Sequence, residues 1–321
     1  MKMILMGTGT SHGMPVIGCT CHGCTSPHKK DKRLRCSAYV VQSGNSKTDR
    51  DGKAYGTTNI LIDAGPEFRI QALEYHLARL DAVLLTHSHA DHLHGLDDLR
   101  IFSHTKSQMH CSGDTPQSQV CYPATEGNGL PVYANTNTIE DVVFRFSYIF
   151  SPTKEGGGKP KLDMQDVSQY NGQNPLSVGT VEIIPVPMMH GTMATSGWLL
   201  SCTGKDGNKH SMAYLTDCNS ISDEAIERIT QNCGILDHIV IDGLRVRPHT
   251  THFSFDESLA CADKIAARHT WLTHICHDMR HTEIQKYVNE HIAAYPHLAE
   301  TVKLGGSAGP AYDGLILKAG E

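Results

Sequence analysis

The stretch Thr86-His87-Ser88-His89-Ala90-Asp91-His92-Leu93-His94-Gly95 follows directly on the apolar run Asp81-Ala82-Val83-Leu84-Leu85. An apolar run of this length, rich in aliphatic residues, predicts a β-strand. If the extended direction persists past the strand end, His87 and His89 project to the same side and can grip one metal ion. The chain then turns into a helix. Asp91 and His92 open that helix and point back at a second ion, so one short segment starts two metal sites about 3.5 to 4 Å apart. Four ligand-type residues at fixed spacing after a strand are far more specific than a His-rich surface loop. His94 reads as a solvent-facing residue of the helix.

Composition narrows the rest. The chain has 321 residues, which suits one large domain or two small ones, and neither an internal repeat nor a dividing linker is evident. A hydrophobic content of 39% suits a globular protein, and a net charge of −6 argues against broad affinity for nucleic acid or membranes. Small molecules are the expected partners. Met1 to Met6 reads as a first strand rather than a signal peptide, because the chain turns polar and glycine-rich at Gly7. No uncharged apolar run is long enough to span a bilayer. Eleven cysteines, an odd number, lack the even framework of a small secreted domain and point to a reducing compartment, with the cytoplasm expected. Many of the 21 histidines fall at predicted strand ends, where an α/β fold collects ligands.

Alternation and turn signals predict strands at 3–6, 38–42, 58–62, 82–85, 181–186, 197–202, 211–215, 239–241, 270–273 and 314–317, and helices at 67–80, 93–102, 223–231, 255–268 and 283–294. This mixed order suits an α/β (α+β) four-layer αββα sandwich, two sheets face to face with helices outside, better than a doubly wound sheet. We expect a single domain over 1–321, with loop insertions at 103–129 and 151–178 that would act as lids over the metal cleft, and a metal-binding loop near 18–36.

A dinuclear site needs further ligands. His190, Asp217 and His274 each follow a predicted strand, so all three could converge on one edge of the sandwich. Separately, Cys19, Cys21 and Cys24 form a CxCxxC cluster that would close a tetrahedral zinc site with one more ligand, for which His22 is a local candidate. The bland alternative is three free thiols or a redox pair.

The ordered set HxHxDH, His190, Asp217 and His274 resembles the metallo-β-lactamase superfamily of dinuclear hydrolases. That resemblance implies that His87, His89 and His190 hold one ion, that Asp91, His92 and His274 hold the second, and that Asp217 bridges them. More narrowly, GTGTSHGMPVIGCTCHGC, RLRCSAYVV, LIDAGPEF, THSHADHLHGL, LTDCNS, THFSFDESL, THICHD and PAYDGL resemble the PhnP-type phosphodiesterases of the carbon-phosphorus lyase pathway, which open a cyclic phosphate on phosphoribose. The match runs in order along nearly the whole chain apart from the two insertions. It implies that His277, the second histidine of His274-Ile275-Cys276-His277, completes the structural zinc site. It further implies hydrolysis of a small, cyclic or linear phosphodiester by a metal-bridging hydroxide, with His252 as the general acid and Asp91 among the catalytic groups. A homodimer is also implied. His249 competes with His252 for the acid role.

Imidazole and carboxylate ligands suit zinc, manganese and iron alike, whereas three sulfurs and a nitrogen select zinc. Ser11 and His12, in the glycine-rich turn 7–13, could meet substrate phosphate, or simply form a tight turn. Arg245 and Arg247 could bind a terminal phosphate, or lie in a solvated loop. Rival functions are a thioesterase or lactonase of the same fold, an RNA 3′-end endonuclease, disfavoured by the acidic balance, and a PqqB-like cofactor-biosynthesis or metal-binding protein.

Overall fold

The computed structural model of the chain describes residues 1–48, 54–104, 109–112, 120–123, 129–151 and 158–321. In chain order the strands are Lys2–Gly7 (β1), Ser37–Thr48 (β2), Ala54–Ile62 (β3), Ala82–Leu84 (β4), Met109–Ser112 (β5), Val120–Pro123 (β6), Leu130–Ala134 (β7) and Leu162–Asp166 (β8). They continue as Leu176–Val178 (β9), Val181–His190 (β10), Met193–Thr203 (β11), Lys209–Leu215 (β12), Ile235–Asp242 (β13), His269–Thr273 (β14), Ser307–Pro310 (β15) and Leu315–Lys318 (β16). Two seven-stranded sheets result, ordered β16-β1-β2-β3-β4-β7-β8 and β15-β14-β13-β12-β11-β10-β9, while β5 and β6 pair as a separate hairpin.

Both sheets repeat one pattern. From one edge, three antiparallel pairings are followed by three parallel ones: β16-β1-β2-β3 then β3-β4-β7-β8, and β9-β10-β11-β12 then β12-β13-β14-β15. Alternation along each strand sends side chains to two different cores. Met3 and Leu5 join Ile60, Ile62, Ile183, Trp198, Leu200 and Met212 between the sheets, while Ile4 and Met6 pack outward on a helical layer.

That outer layer is Phe68–Glu74 (α1), Ala90–Leu93 (α2), Arg100–His104 (α3), Thr136–Arg145 (α4) and Ser147–Phe150 (α5), contributing Phe68, Leu93, Phe102, Val142 and Ile149. Over the second sheet lie Asp223–Asn232 (α6), Phe255–Ile265 (α7), His281–His291 (α8) and Pro296–Lys303 (α9), which bury Ile229, Leu259, Ile284 and Leu298. Each fully buried aliphatic side chain stabilises by about 1.5–3 kcal/mol. The architecture is the expected four-layer αββα sandwich. No helix among the described residues is long and apolar enough to cross a membrane.

Several local expectations need correction. The helix expected over 67–80 stops at Glu74, because His76 turns left-handed at φ 54° and Leu77 N–H bonds Ala72 O. The helix expected over 93–102 is broken at Gly95, where a Cβ would lie 2.2 Å from Gly65 O. That close approach seats the short helix α2 against the loop after β3. At the far end of α7, Ala266 takes φ 57° and ends a helix expected to reach 268.

The segment read as the insertion 151–178 supplies β8 and β9, an edge strand for each sheet. Residues 152–157 of that stretch, and 105–108, 113–119 and 124–128 of the first insertion, lie outside the described residues, and with them much of the lid reading.

His210, in β12, faces a carboxylate at each ring nitrogen and in its charged form donates to both, Nδ1 to Asp237 at 2.6 Å and Nε2 to Asp206 at 3.1 Å. Burial opposes its charge, but the two carboxylates prevail and raise its pKa above the ordinary value. A raised folded-state pKa adds stability that is complete below the unfolded value of about 6.5 and is lost as pH rises through the folded value. The urea-midpoint gap between wild type and His210→Gln should therefore narrow from pH 6 to pH 9; a pH-independent gap would contradict this linkage.

Candidate metal centre

The carboxyl ends of β3, β4, β12, β13 and β14 meet at one rim, and the ligand-type residues lie just past them. Past β4, His89 is extended at φ −68° and ψ 153° as the N-cap of α2, where the helical turn begins. This backbone brings His87 and His89 beside His190 from the end of β10, with candidate ligand atoms within 4.8 Å of one another. The turn into α2 places Asp91 and His92 in a second group with Asp217 and His274.

Asp217 reaches both groups. Its Oδ1 lies 3.8 Å from His87 Nε2 and 3.1 Å from His274 Nε2, and its Oδ2 lies 3.1 Å from His92 Nε2. His92 Nε2 is also 3.3 Å from Asp91 Oδ2. Ligands around one ion, with bonds of about 2.0–2.2 Å and angles of 90–110°, sit roughly 3.0–3.4 Å apart. Most of these spacings fall in that range. His87 Nε2, His92 Nε2 and His274 Nε2 are buried, and none has a hydrogen-bond partner among the described residues, as expected of lone pairs aimed at a common guest.

The second ring nitrogens of His92 and His190 are anchored. His92 Nδ1 lies 2.7 Å from Asp63 Oδ2, and Asp63 accepts both the amide and the hydroxyl of Thr86 at 2.8 Å. His190 Nδ1 donates to Thr251 O at 2.7 Å, leaving Nε2 as a lone pair for an ion. Such partners set the tautomer and raise ligand basicity. Burial pushes His87 well below its ordinary pKa and His190 down to about 4, so both are neutral donors near pH 7. His92 shifts the other way: burial opposes its charge, but Asp217, Asp91 and Asp63 carry it well above the ordinary value. Three carboxylates around one imidazole mark this point for positive charge. Asp217 in turn is held far below the usual carboxylate range, against burial, by His274, His92 and His87.

Asp63, Asp217 and His274 take φ values of 58°, 57° and 59°. A left-handed non-glycine residue costs on the order of 1 kcal/mol or more, and such strain concentrates at functional sites.

The thiolate cluster forms a separate site. Cys19, Cys21 and Cys24 Sγ lie 3.4, 3.3 and 3.5 Å from His277 Nδ1. A zinc tetrahedron with bonds of about 2.3 Å to sulfur and about 2.05 Å to nitrogen has an S···N edge of about 3.5 Å, so the four groups fit that ion. The amide of Cys24, then His277, lower the Cys21 thiol to about 6. His22, the local candidate, instead faces Glu283 at 3.1 Å on the surface. Gly23 is required here, since a Cβ would lie 2.6 Å from His277 O.

His252 stacks on His274 (centroids 4.5 Å apart, 19° between planes) and meets His190 edge-on at 4.5 Å. Its Nδ1 bonds buried Asp242 at 2.8 Å. His249 lies further out, against His252 at 5.3 Å and bonded to Thr251. Asp63 and Asp242 were not singled out in the sequence; the available signal was an aspartate closing an apolar strand, in Leu61-Ile62-Asp63 and Val240-Ile241-Asp242. Arg247 is exposed and pairs with Asp278 at 3.2 Å, and Arg245 Nε donates to Arg247 O. Ser11 and His12 are exposed residues of a turn closed by Gly13 at φ 65°.

Residues 58–275 match the profile of the beta-lactamase superfamily domain. A diphosphatase from the PhnP family, known from its crystal structure, is 32% identical and superposes with a TM-score of 0.69, covering 99% of this chain and 97% of its own. Zn2+-bound PqqB from Methylobacterium extorquens shares the fold at a TM-score of 0.63 and 16% identity, covering 99% of this chain and 100% of that one. An octanoyltransferase of Porphyromonas gingivalis (strain ATCC BAA-308 / W83) is 32% identical over 278 residues, 86% of this chain, which spans 46% of that longer protein. The chain belongs to the metallo-β-lactamase superfamily of metal-dependent hydrolases and, within it, to the PhnP family.

The two sites predict separable losses. Asp217→Ala protein should lose active-site metal while keeping about one zinc per chain, and Cys21→Ser should lose that zinc first. Elemental analysis after gel filtration checks this; equal metal content in both variants would contradict two distinct sites.

Proposed function

We propose that the protein is a phosphodiesterase that hydrolyses a small, cyclic or linear phosphodiester to a phosphomonoester. Two divalent ions held by His87, His89, His190, Asp91, His92, Asp217 and His274 would lower the pKa of water from about 15.7 to about 7 and offset charge on the phosphoryl oxygens. The remaining work belongs to side chains. Asp242 holds His252 by Nδ1, so Nε2 is the atom left to exchange a proton, and it donates one only from the imidazolium form, which burial disfavours by lowering the His252 pKa. Asp63 and the Thr251 carbonyl fix the rings of His92 and His190.

The observation that carries this reading is the Asp242-His252 pair seated against His190 and His274. An alkoxide leaving from phosphorus needs a proton, whereas a thiolate leaves without one, so a built-in acid favours an oxygen ester over a thioester. The diphosphatase relative supports phosphoryl chemistry. The net charge of −6 weighs against a nucleic-acid substrate.

Hydrolysis of bis-nitrophenyl phosphate by protein reconstituted separately with manganese, zinc and iron should exceed turnover of thioester and lactone panels; preference for a carbonyl substrate would contradict the proposal. His252→Ala should slow alkyl phosphodiesters by about 10²–10⁴-fold and nitrophenyl esters far less. Equal losses on both would remove His252 from the acid role.

A further inference from the structure

Ser88 sits between His87 and His89, the two histidines that a single extended segment offers to the first ion. The Ser88 side chain bonds helix α4 while His87 and His89 converge on His190, so whatever holds Ser88 holds the pair from behind. Helix α4 does this twice. The Ser88 hydroxyl donates to Asp141 Oδ2, and the Ser88 carbonyl accepts from Arg145 Nη1. Arg145 Nη2 closes the triangle at 3.5 Å from Asp141 Oδ2, one helical turn away.

Asp141 and Arg145 are spaced i, i+4, so they stand side by side on α4 and meet one residue together. The helix is fixed at its other end, where Asn135 Oδ1 accepts the Thr138 amide and Asn135 Nδ2 donates to Ala194 O and Ser196 Oγ. Ser88 is buried, while Asp141 and Arg145 are partly exposed, so their value lies in geometry rather than in surface Coulomb energy.

We propose that Asp141 and Arg145 are positioning residues for the first metal ion: acting through Ser88, they fix the reach of His87 and His89, whereas Asp63 serves both ligand groups, holding His92 directly and reaching His87 by way of the Thr86 hydroxyl. This rests on the dinuclear reading above. Partners one shell behind metal ligands typically change affinity by about 10–100-fold when removed.

The test is cobalt(II) titration of the whole chain, stripped of active-site ions and followed by the visible d–d bands, for wild type, Asp141→Ala, Asp141→Asn and Ser88→Ala. Asp141→Ala and Ser88→Ala should weaken one of the two active-site constants about 10–100-fold and leave the other within about threefold. Asp141→Asn, which keeps an oxygen for the Ser88 hydroxyl, should stay within about threefold of wild type. If Asp141→Ala does not fold, Ser88→Ala decides alone. Unchanged constants, or equal weakening of both, in variants of a two-ion wild type would overturn this inference only. A wild type that takes up no ion pair would overturn the dinuclear reading and this inference with it.

Discussion

Asp217 is a carboxylate with almost no exposure to water, and burying such a charge is tenable only if positive charge meets it. Its two oxygens face imidazoles from both halves of the molecule: His87 and His92 follow β4 of the first sheet, and His274 follows β14 of the second. The rim is therefore where the two sheets answer each other electrostatically as well as by packing. The left-handed backbone at Asp217 and His274 shows that this convergence is maintained against local preference.

The same constraint links the two candidate metal sites. His274 and His277 are three residues apart, one turned to the acidic cluster and the other to the thiolates. Between them Ile275 is gripped by the loop after β1: its amide donates to Thr8 O at 3.0 Å, and its carbonyl accepts from Thr10 at 3.2 Å. Thr8 is itself fixed, its hydroxyl accepting from buried Arg33 and donating to Asp313, each at 2.7 Å. Arg33 also reaches the Ala311 carbonyl. The loop after β1 thus holds the backbone that presents His274 on one side and His277 on the other.

What could be read from the sequence follows from how locally each feature is encoded. His87, His89, Asp91 and His92 are legible because one strand end and one helix start fix their geometry within six residues. The sandwich is legible because its central strands alternate or run apolar. Asp63 and Asp242 are harder, since a lone aspartate after an apolar run looks like any strand end until the histidine it holds arrives from elsewhere in the chain. Helix α4 is hidden by Val143 and Phe144, exposed at 39% and 83%, which blur the apolar stripe formed by Ile139 and Val142. The strands β8 and β9, Leu-Asp-Met-Gln-Asp and Leu-Ser-Val, are too short and polar to stand out, because edge strands are ordered by the neighbour they pair with.

In the proposed dinuclear site, the buried carboxylate of Asp217 would be shared by two ions. Anomalous diffraction from crystals grown with manganese and zinc, recorded at both absorption edges, addresses it directly. Two peaks about 3.5–4 Å apart astride Asp217 are expected, with a third, zinc-only peak among Cys19, Cys21, Cys24 and His277. A single peak at the rim, or two that leave Asp217 untouched, would contradict it.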